Sequence, residues 1–164
     1  MKRMLNLTTL ALVAVLLLGT LPVLAVERPF ALNGNGLANF IFDGNGNLVG
    51  ADVTSTSNAT HLGLCTIVGK VNYTPANDPE HPGRLLSSGA SVITAANGDT
   101  LNIEFNGILD PPSPGSSTGI DKPHFRFVGG TGRFANVTGE ADAVVVVNLP
   151  TGAFEITMVG NIDY

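Results

Sequence analysis

The sequence has few charged residues, few aromatic residues and almost no cysteine. Of its 164 residues, 13% are charged, 6% are aromatic, one is cysteine and none is tryptophan. A single cysteine excludes an internal disulfide framework and the usual cysteine-based zinc sites. The lack of tryptophan disfavours two common β folds, because an immunoglobulin domain has a Cys–Trp–Cys core and a lipocalin normally has a tryptophan on its first strand.

Positive charge is also scarce. Eight Lys and Arg residues stand against thirteen Asp and Glu residues, which gives a formal net charge of −5. Proteins that bind nucleic acid need basic residues to displace counterions from the phosphates. We therefore expect no nucleic-acid partner.

The one long apolar run lies at the N-terminus. Two basic residues precede the apolar stretch 10–18, and Pro22 and Ala25 follow it. This order is typical of a secretory signal peptide that is cleaved after Ala25. The competing interpretation is an uncleaved membrane anchor, because residues 5–26 approach the length that spans a bilayer. Pro22 and the small residue Ala25 favour cleavage.

We therefore expect an exported protein, secreted or periplasmic, with residues 1–25 as the signal peptide and residues 26–164 as a single domain. Cleavage removes 25 of the 164 residues and two positive charges, which leaves 139 residues and changes the net charge from −5 to −7. No later apolar stretch is long enough to cross a bilayer, so we expect no membrane association after cleavage.

The rest of the chain has the two-residue periodicity of β-strands. In residues 100–106, Leu101, Ile103 and Phe105 alternate with polar residues and therefore point to one face. Helical patterns of useful length are missing. Strands are predicted at residues 37–42, 48–53, 61–73, 85–95, 100–106, 124–128, 140–148 and 154–164. Asn97–Gly98 predicts a two-residue hairpin turn, and the Pro- and Gly-rich stretch 110–119 predicts a loop.

About eight strands at this spacing indicate an all-β barrel or sandwich. One apolar and one polar face on each strand is typical of an antiparallel meander. Closure into a barrel removes exposed strand edges. We therefore expect an eight-stranded antiparallel up-and-down β-barrel.

The most distinctive segment, residues 127–139, places a phenylalanine after a glycine-rich turn. Its motif residues are Gly129, Gly130, Thr131, Gly132 and Phe134. Glycine permits positive φ and close approach of backbones, and we expect Phe134 to close one end of the core. The segment resembles the hydrophobic-GGTG-x-F segment of dirigent proteins and the related GG-[ST]-G-x-F segment of allene oxide cyclases.

Two further similarities support that resemblance. Residues 152–162 are similar to the last strand of an allene oxide cyclase, and residues 60–63 and 94–99 are similar to segments of secreted bacterial proteins of the same barrel superfamily. The resemblance implies an allene oxide cyclase-like eight-stranded barrel, often oligomeric, with an apolar central cavity. The catalytic residues of both families lie in sequence contexts that have no match here, so no catalytic residue is carried over. The shared motif is architectural and supports the fold rather than a chemistry.

Candidate catalytic residues come from the polar faces of the strands. They are Glu104, His124, Arg126, Asp142 and Glu155. The ordinary interpretation places them outside the barrel in water. Only a position inside the barrel would make them candidates for acid–base chemistry.

Other motifs favour structural interpretations. Asp43–Asn47 begins like a calcium loop, but Leu48 replaces the required glycine and Thr54 stands in place of the bidentate glutamate, so a turn is favoured. The three histidines are not spaced as ligand pairs. Cys65 shares a strand face with apolar residues and is interpreted as a buried structural thiol. The glycine-rich segment matches no phosphate loop. We expect no metal and no cofactor.

Three functions remain open. The leading hypothesis is a binding or structural module for a small, mostly apolar molecule. The alternative is an enzyme, a cyclase or isomerase that acts on a hydrophobic intermediate inside the barrel. The third is a homo-oligomeric surface or matrix protein that uses the outer face of the barrel.

Overall fold

The computed structural model describes residues 27–164, so the predicted signal peptide lies outside the described residues. The strands are β1 Arg28–Phe42, β2 Leu48–Ala59, β3 Gly63–Pro75, β4 Leu85–Ala95, β5 Thr100–Asp110, β6 Thr118–Asp121, β7 His124–Gly130, β8 Thr138–Asn148 and β9 Ala153–Asp163. A short 3-10 turn, Gly132–Phe134, lies between β7 and β8. Among these residues, no helix is long and apolar enough to cross a membrane.

The strands form one closed antiparallel ring. Their order is β4-β3-β2-β1-β9-β8, then β6 and β7, then β5, and a further pairing of β5 with β4 closes the ring. Strands β6 and β7 both lie between β5 and β8, so they share one position of the ring. The ring therefore has eight positions, and the predicted eight-stranded antiparallel barrel is confirmed.

The interruption between β6 and β7 follows from two residues on neighbouring strands. Pro123 has no N–H to donate to a strand ladder. Opposite it, Gly107 of β5 has no side chain, and a Cβ there would lie 2.6 Å from the Cα of Pro123. The chain therefore approaches β5 closely at the break, and Pro123 is buried.

The two ends of the barrel differ. One end, the plugged end, holds the β2–β3 and β4–β5 turns, the 3-10 turn and the end of β9. The other end, the loop end, holds the connections 43–47, 76–84, 111–117 and 149–152. At the plugged end Phe134 is fully buried and packs edge-to-face on Tyr164, with ring centroids 5.0 Å apart. Phe30 and Phe127 pack edge-to-face in the same cluster, at 4.9 Å.

The alternation of the strands builds the core. Leu101 and Ile103 of β5 and Ile156 and Met158 of β9 point inward and are buried. Most of the buried residues form one large cluster toward the plugged end. A smaller buried cluster lies around Ala51, toward the loop end, and partly buried hydrophobic side chains pack against it.

Some boundaries differ from the sequence predictions. Strand β1 begins nine residues before the predicted start, because residues 33–36, which look like a turn, pair with both β2 and β9. The predicted loop 110–119 is shorter, since β5 includes Asp110 and β6 begins at Thr118. The predicted two-residue turn at Asn97–Gly98 is a three-residue loop, because the N–H of Ala95 donates to the carbonyl of Asp99.

Candidate functional site

A cavity lies inside the barrel. The space that the centre of a water molecule can occupy there is about 80 Å³. One water needs roughly 10–15 Å³ of such space, so the cavity has room for several waters or for a ring-sized molecule. All eight ring positions contribute to its wall. Seven of them supply aliphatic or aromatic side chains, whereas β4 supplies only Ser91, and Pro123 lines the cavity from the β6–β7 break.

Four polar residues interrupt this apolar wall. They are Ser55, Tyr73, Ser91 and Asp121. All four are more than nine-tenths buried. Buried polar groups almost always have hydrogen-bond partners, so the partner of each one indicates what the cavity can do.

Asp121 is the one acidic residue in the wall, and it is held by a serine. It is 7% exposed and its Oδ1 accepts a hydrogen bond of 2.8 Å from the hydroxyl of Ser87. Burial raises the pKa of Asp121, and the hydrogen bonds from the Ser87 hydroxyl and from the backbone N–H of Lys122 oppose that rise only in part. Among residues 27–164, no cationic side chain pairs with this carboxyl group. The surroundings therefore favour its neutral form.

Tyr73 lies beside this pair. It is directly opposite Ser87 in the β3–β4 ladder, and both side chains point inward. Burial, together with the neighbouring Asp121, raises the pKa of Tyr73 well above its ordinary value. Within the described part of the chain, the Tyr73 hydroxyl has no hydrogen-bond partner. Tyr73, Ser87 and Asp121 thus form a polar row, the inner polar row, on β3, β4 and β6.

An ion-pair network at the loop end holds the surrounding loops. Arg84 donates to Asp110 at 2.6 Å and to Asp78 at 3.3 Å. Lys122 donates to the other oxygen of Asp110 at 3.1 Å, which directs its charge away from Asp121. The hydrogen bond from Arg84, followed by that from Lys122, lowers the pKa of Asp110. The 76–84 loop is thereby fixed to the end of β5.

The five candidates from the sequence lie on the outer face of the barrel. None of them lines the cavity. Arg126 donates to Glu104 at 3.3 Å, and Nδ1 of His124 lies 2.8 Å from Asp142. Side-chain exposure reaches 83% for Asp142, and Glu155 is exposed as well. The structure therefore brings four of the five together as surface pairs and leaves Glu155 apart from them.

The other motifs have local structural roles. Asp43 accepts hydrogen bonds from the N–H groups of Asn45 and Asn47, both at 2.8 Å, and so organises the β1–β2 turn.

Cys65 is buried, with its Sγ 3.5 Å from the carbonyl oxygen of Ser57, and burial raises the pKa of its thiol. Among the residues that the structure describes, no three His, Cys, Asp or Glu side chains converge as metal ligands.

The glycine-rich motif forms the corner that leads to Phe134. The hydroxyl of Thr131 accepts a hydrogen bond of 2.8 Å from the N–H of Thr100, which ties the corner to the start of β5. Gly132 has a φ of +57°, a conformation that favours glycine, and the Asp99 carboxylate fills the space where a side chain would begin. The motif contributes no residue to the cavity wall.

The sequence contained a signal for Asp121 that the strand assignment missed. Asp121, Pro123, Phe125 and Phe127 are two residues apart, and all four are buried. Extending the alternation of the two phenylalanines back across Pro123 places Asp121 on the inner face. The break at Pro123 and the assignment of 110–119 to a loop concealed this.

Comparisons with known proteins identify the fold. No protein-family model matches the chain, and a search of curated proteins gives no match. Solved structures do match. The pterocarpan synthase dirigent protein GePTS1 aligns with a TM-score of 0.52 and 15% identity over 84% of this chain and 86% of that one. The pterocarpan synthase dirigent protein PsPTS1 aligns with a TM-score of 0.53 and 16% identity over 88% and 98%. The barrel is therefore dirigent-like in fold.

Proposed function

We propose that this protein is an exported barrel that binds a small, mainly apolar molecule in its central cavity. The observation that carries the proposal is the cavity itself, since its apolar wall includes a few buried polar residues. Ligand sites in proteins typically combine an apolar wall with a small number of placed polar groups. An interior filled by side chains would have left only a structural role.

A pair of adjacent valines on β8 tests this proposal. Val145 lines the cavity, whereas Val144 is 45% exposed on the outer face. Val145→Phe should fill part of the cavity and weaken binding of a ring-sized probe such as 1-indanone by roughly tenfold or more, as measured by calorimetric titration. Val144→Phe is the matched control and should leave binding unchanged. Equal binding by both variants would contradict the proposal.

The export part of the proposal depends on the signal-peptide pattern of residues 1–25. Expression of the full chain in a bacterial host and mass spectrometry of the mature protein test it. Cleavage after Ala25 is the expected result. Retention of residues 1–25 in the membrane fraction would favour the anchor.

A second candidate is a cyclase or isomerase of the allene oxide cyclase or dirigent type. Asp121 favours it, because burial raises the pKa of this carboxyl group, and a carboxyl group that keeps its proton can give it to a ligand inside a dry cavity. Both solved dirigent neighbours are named as pterocarpan synthases, which supports an activity of this kind. Chromatography of ligands recovered after incubation distinguishes the two functions: an isomerase returns a product of unchanged mass and altered retention, whereas a binding module returns its ligand unchanged.

The outer face suggests association between copies of this chain. Leu37, Thr54, Val68 and Val92 lie side by side across β1 to β4, and the three aliphatic members are 40% to 60% exposed. Such rows of exposed apolar residues commonly mark interaction surfaces. Light scattering of the purified protein measures whether the barrel forms a homo-oligomer.

A further inference from the structure

We propose that Tyr73 and Asp121 form a pair of hydrogen-bond donors that recognises a neutral carbonyl group on the ligand. The inference rests on the proposed function and narrows it. The ligand class is a mainly apolar, ring-sized molecule that carries one ketone, aldehyde or ester oxygen.

The position of the two residues is the first observation. Ser87 links them, because it lies opposite Tyr73 in the β3–β4 ladder and donates to Oδ1 of Asp121. Ser87 also lies opposite Gly107 of β5, which has no side chain, so nothing on β5 separates Ser87 from Asp121. Both Tyr73 and Asp121 line the cavity. Their polar groups therefore face the same space.

Unused hydrogen-bonding capacity is the second observation. Ser87 donates to Oδ1 of Asp121 and the backbone N–H of Lys122 also donates to this carboxyl group, so neither contact uses the proton of a neutral Asp121; among residues 27–164 the Tyr73 hydroxyl has no partner. Tyr73 is 8% exposed and Asp121 is 7% exposed. Buried polar groups without a protein partner usually bind water or a ligand. These two groups are thus available to a molecule in the cavity.

The chemistry of the pair determines what they bind. A tyrosine hydroxyl and a neutral aspartic acid in an apolar site can both donate to one oxygen, and a carbonyl oxygen has two lone pairs to accept them. A ligand carboxylate would bury a negative charge without a cationic partner. A ligand ammonium would require Asp121 to ionise, and burying such a pair is costly. The neutral carbonyl is therefore the favoured ligand group.

The test compares three probes that share one ring skeleton. They are indane, 1-indanone and 1-aminoindane, titrated into the wild-type protein and its variants by ligand-observed NMR. The wild-type protein should bind 1-indanone roughly three- to tenfold more tightly than indane, the gain that one or two neutral hydrogen bonds provide. Tyr73→Phe and Asp121→Leu should each reduce this ratio. Asp121→Asn should keep it, because Ser87 holds the amide oxygen and leaves the amide N–H₂ facing the cavity.

A matched control and a second readout separate recognition from folding. Tyr164→Phe makes the same change at the plugged end, outside the cavity wall, and should leave the ratio unchanged. In the infrared spectrum, the carbonyl stretch of bound 1-indanone should lie at lower frequency in the wild-type protein than in Tyr73→Phe, since each donor weakens the C=O bond.

The outcomes distinguish this inference from the proposed function. Binding of indane and 1-indanone with equal affinity, unaffected by Tyr73→Phe and Asp121→Leu, would overturn the carbonyl pair and leave the binding cavity in place. Tighter binding of 1-aminoindane than of 1-indanone would also overturn it, in favour of an ionised Asp121. Failure of all three probes to bind to the wild-type protein would overturn the proposed function itself.

Discussion

Asp121 is a carboxyl group in surroundings that favour its neutral form. It is buried in an apolar wall, and its one side-chain donor is a neutral hydroxyl. Asp110, eleven residues earlier, is in the opposite situation, because Arg84 and Lys122 both donate to it. The two aspartates should therefore give opposite pH dependences of stability.

The Asp121→Asn variant tests the pH dependence expected for Asp121. Because the pKa of Asp121 is higher in the folded chain than in the unfolded one, its contribution to stability is fully present below the unfolded value of about 3.9 and is lost as the pH rises through the folded value. The wild-type protein should lose stability relative to Asp121→Asn as the pH is raised from about 4 toward neutrality. Urea denaturation across this range measures the difference. A difference that stays constant with pH would contradict the raised pKa of Asp121.

Asp110→Asn provides the comparison of opposite sign. The pKa of Asp110 is lowered in the folded chain, so its contribution is present above the unfolded value and is lost as the pH falls through the folded one. Asp110→Asn should be less stable than the wild-type protein at neutral pH, and the two should converge in acid. Measured in the same buffers, Asp110→Asn therefore serves as the control for Asp121→Asn.

Phe134 is the residue on which the plugged end depends. Its side chain is fully buried, so Phe134→Ala should lower the free energy of unfolding by about 3–5 kcal/mol. Phe42, which is 59% exposed on β1, is the matched control, and Phe42→Ala should change stability by about 0.5 kcal/mol or less. An unchanged denaturant midpoint for Phe134→Ala would show that the motif serves something other than packing.

At the scale of the elements, alternation predicted those strands whose inward residues are large and apolar. Strand β5 follows this rule, with Leu101, Ile103 and Phe105 facing inward. Strand β1 was predicted too short because Asn and Gly residues at 33–36 are typical of turns, and only the ladders on both sides keep them extended. Strand β6 was missed because four residues are too few to establish a period.

The break between β6 and β7 gives a prediction for an element. Gly107→Ala would place a Cβ 2.6 Å from the Cα of Pro123, and backbone atoms cannot yield as a flexible side chain can. The variant should be destabilised by about 1–3 kcal/mol, as measured by thermal or urea denaturation. Gly44→Ala is the control, since a Cβ there meets no atom within 4 Å. Equal stability of the two variants would show that β6 and β7 can move away from β5 at little cost.

At the scale of the whole molecule, the closed barrel could be predicted from the sequence, whereas the inner polar row could not. Closure follows from strand number and alternation, which are local and countable. The row joins residues on β3, β4 and β6 that are up to 48 positions apart, and their proximity depends on the register of three ladders. The sequence candidates were chosen for charge on regular strands, which placed them on the outer face.

The two unlike ends of the barrel indicate from which side a ligand would reach the inner polar row. Phe134 and its neighbours fill the plugged end, while the inner polar row lies toward the loop end. A ligand should therefore enter between the connections 43–47, 76–84, 111–117 and 149–152 and meet Tyr73 and Asp121 inside.

Amide chemical-shift mapping with 1-indanone tests this central claim most directly. Titration into the ¹⁵N-labelled protein should shift the amide signals of residues that line the cavity, among them Tyr73, Ser91 and Asp121, and leave those of Glu140 and Asp142, whose chain neighbours lie outside the cavity wall, unchanged. Shifts confined to the outer face, or no shifts at millimolar probe, would contradict a ligand site inside the barrel.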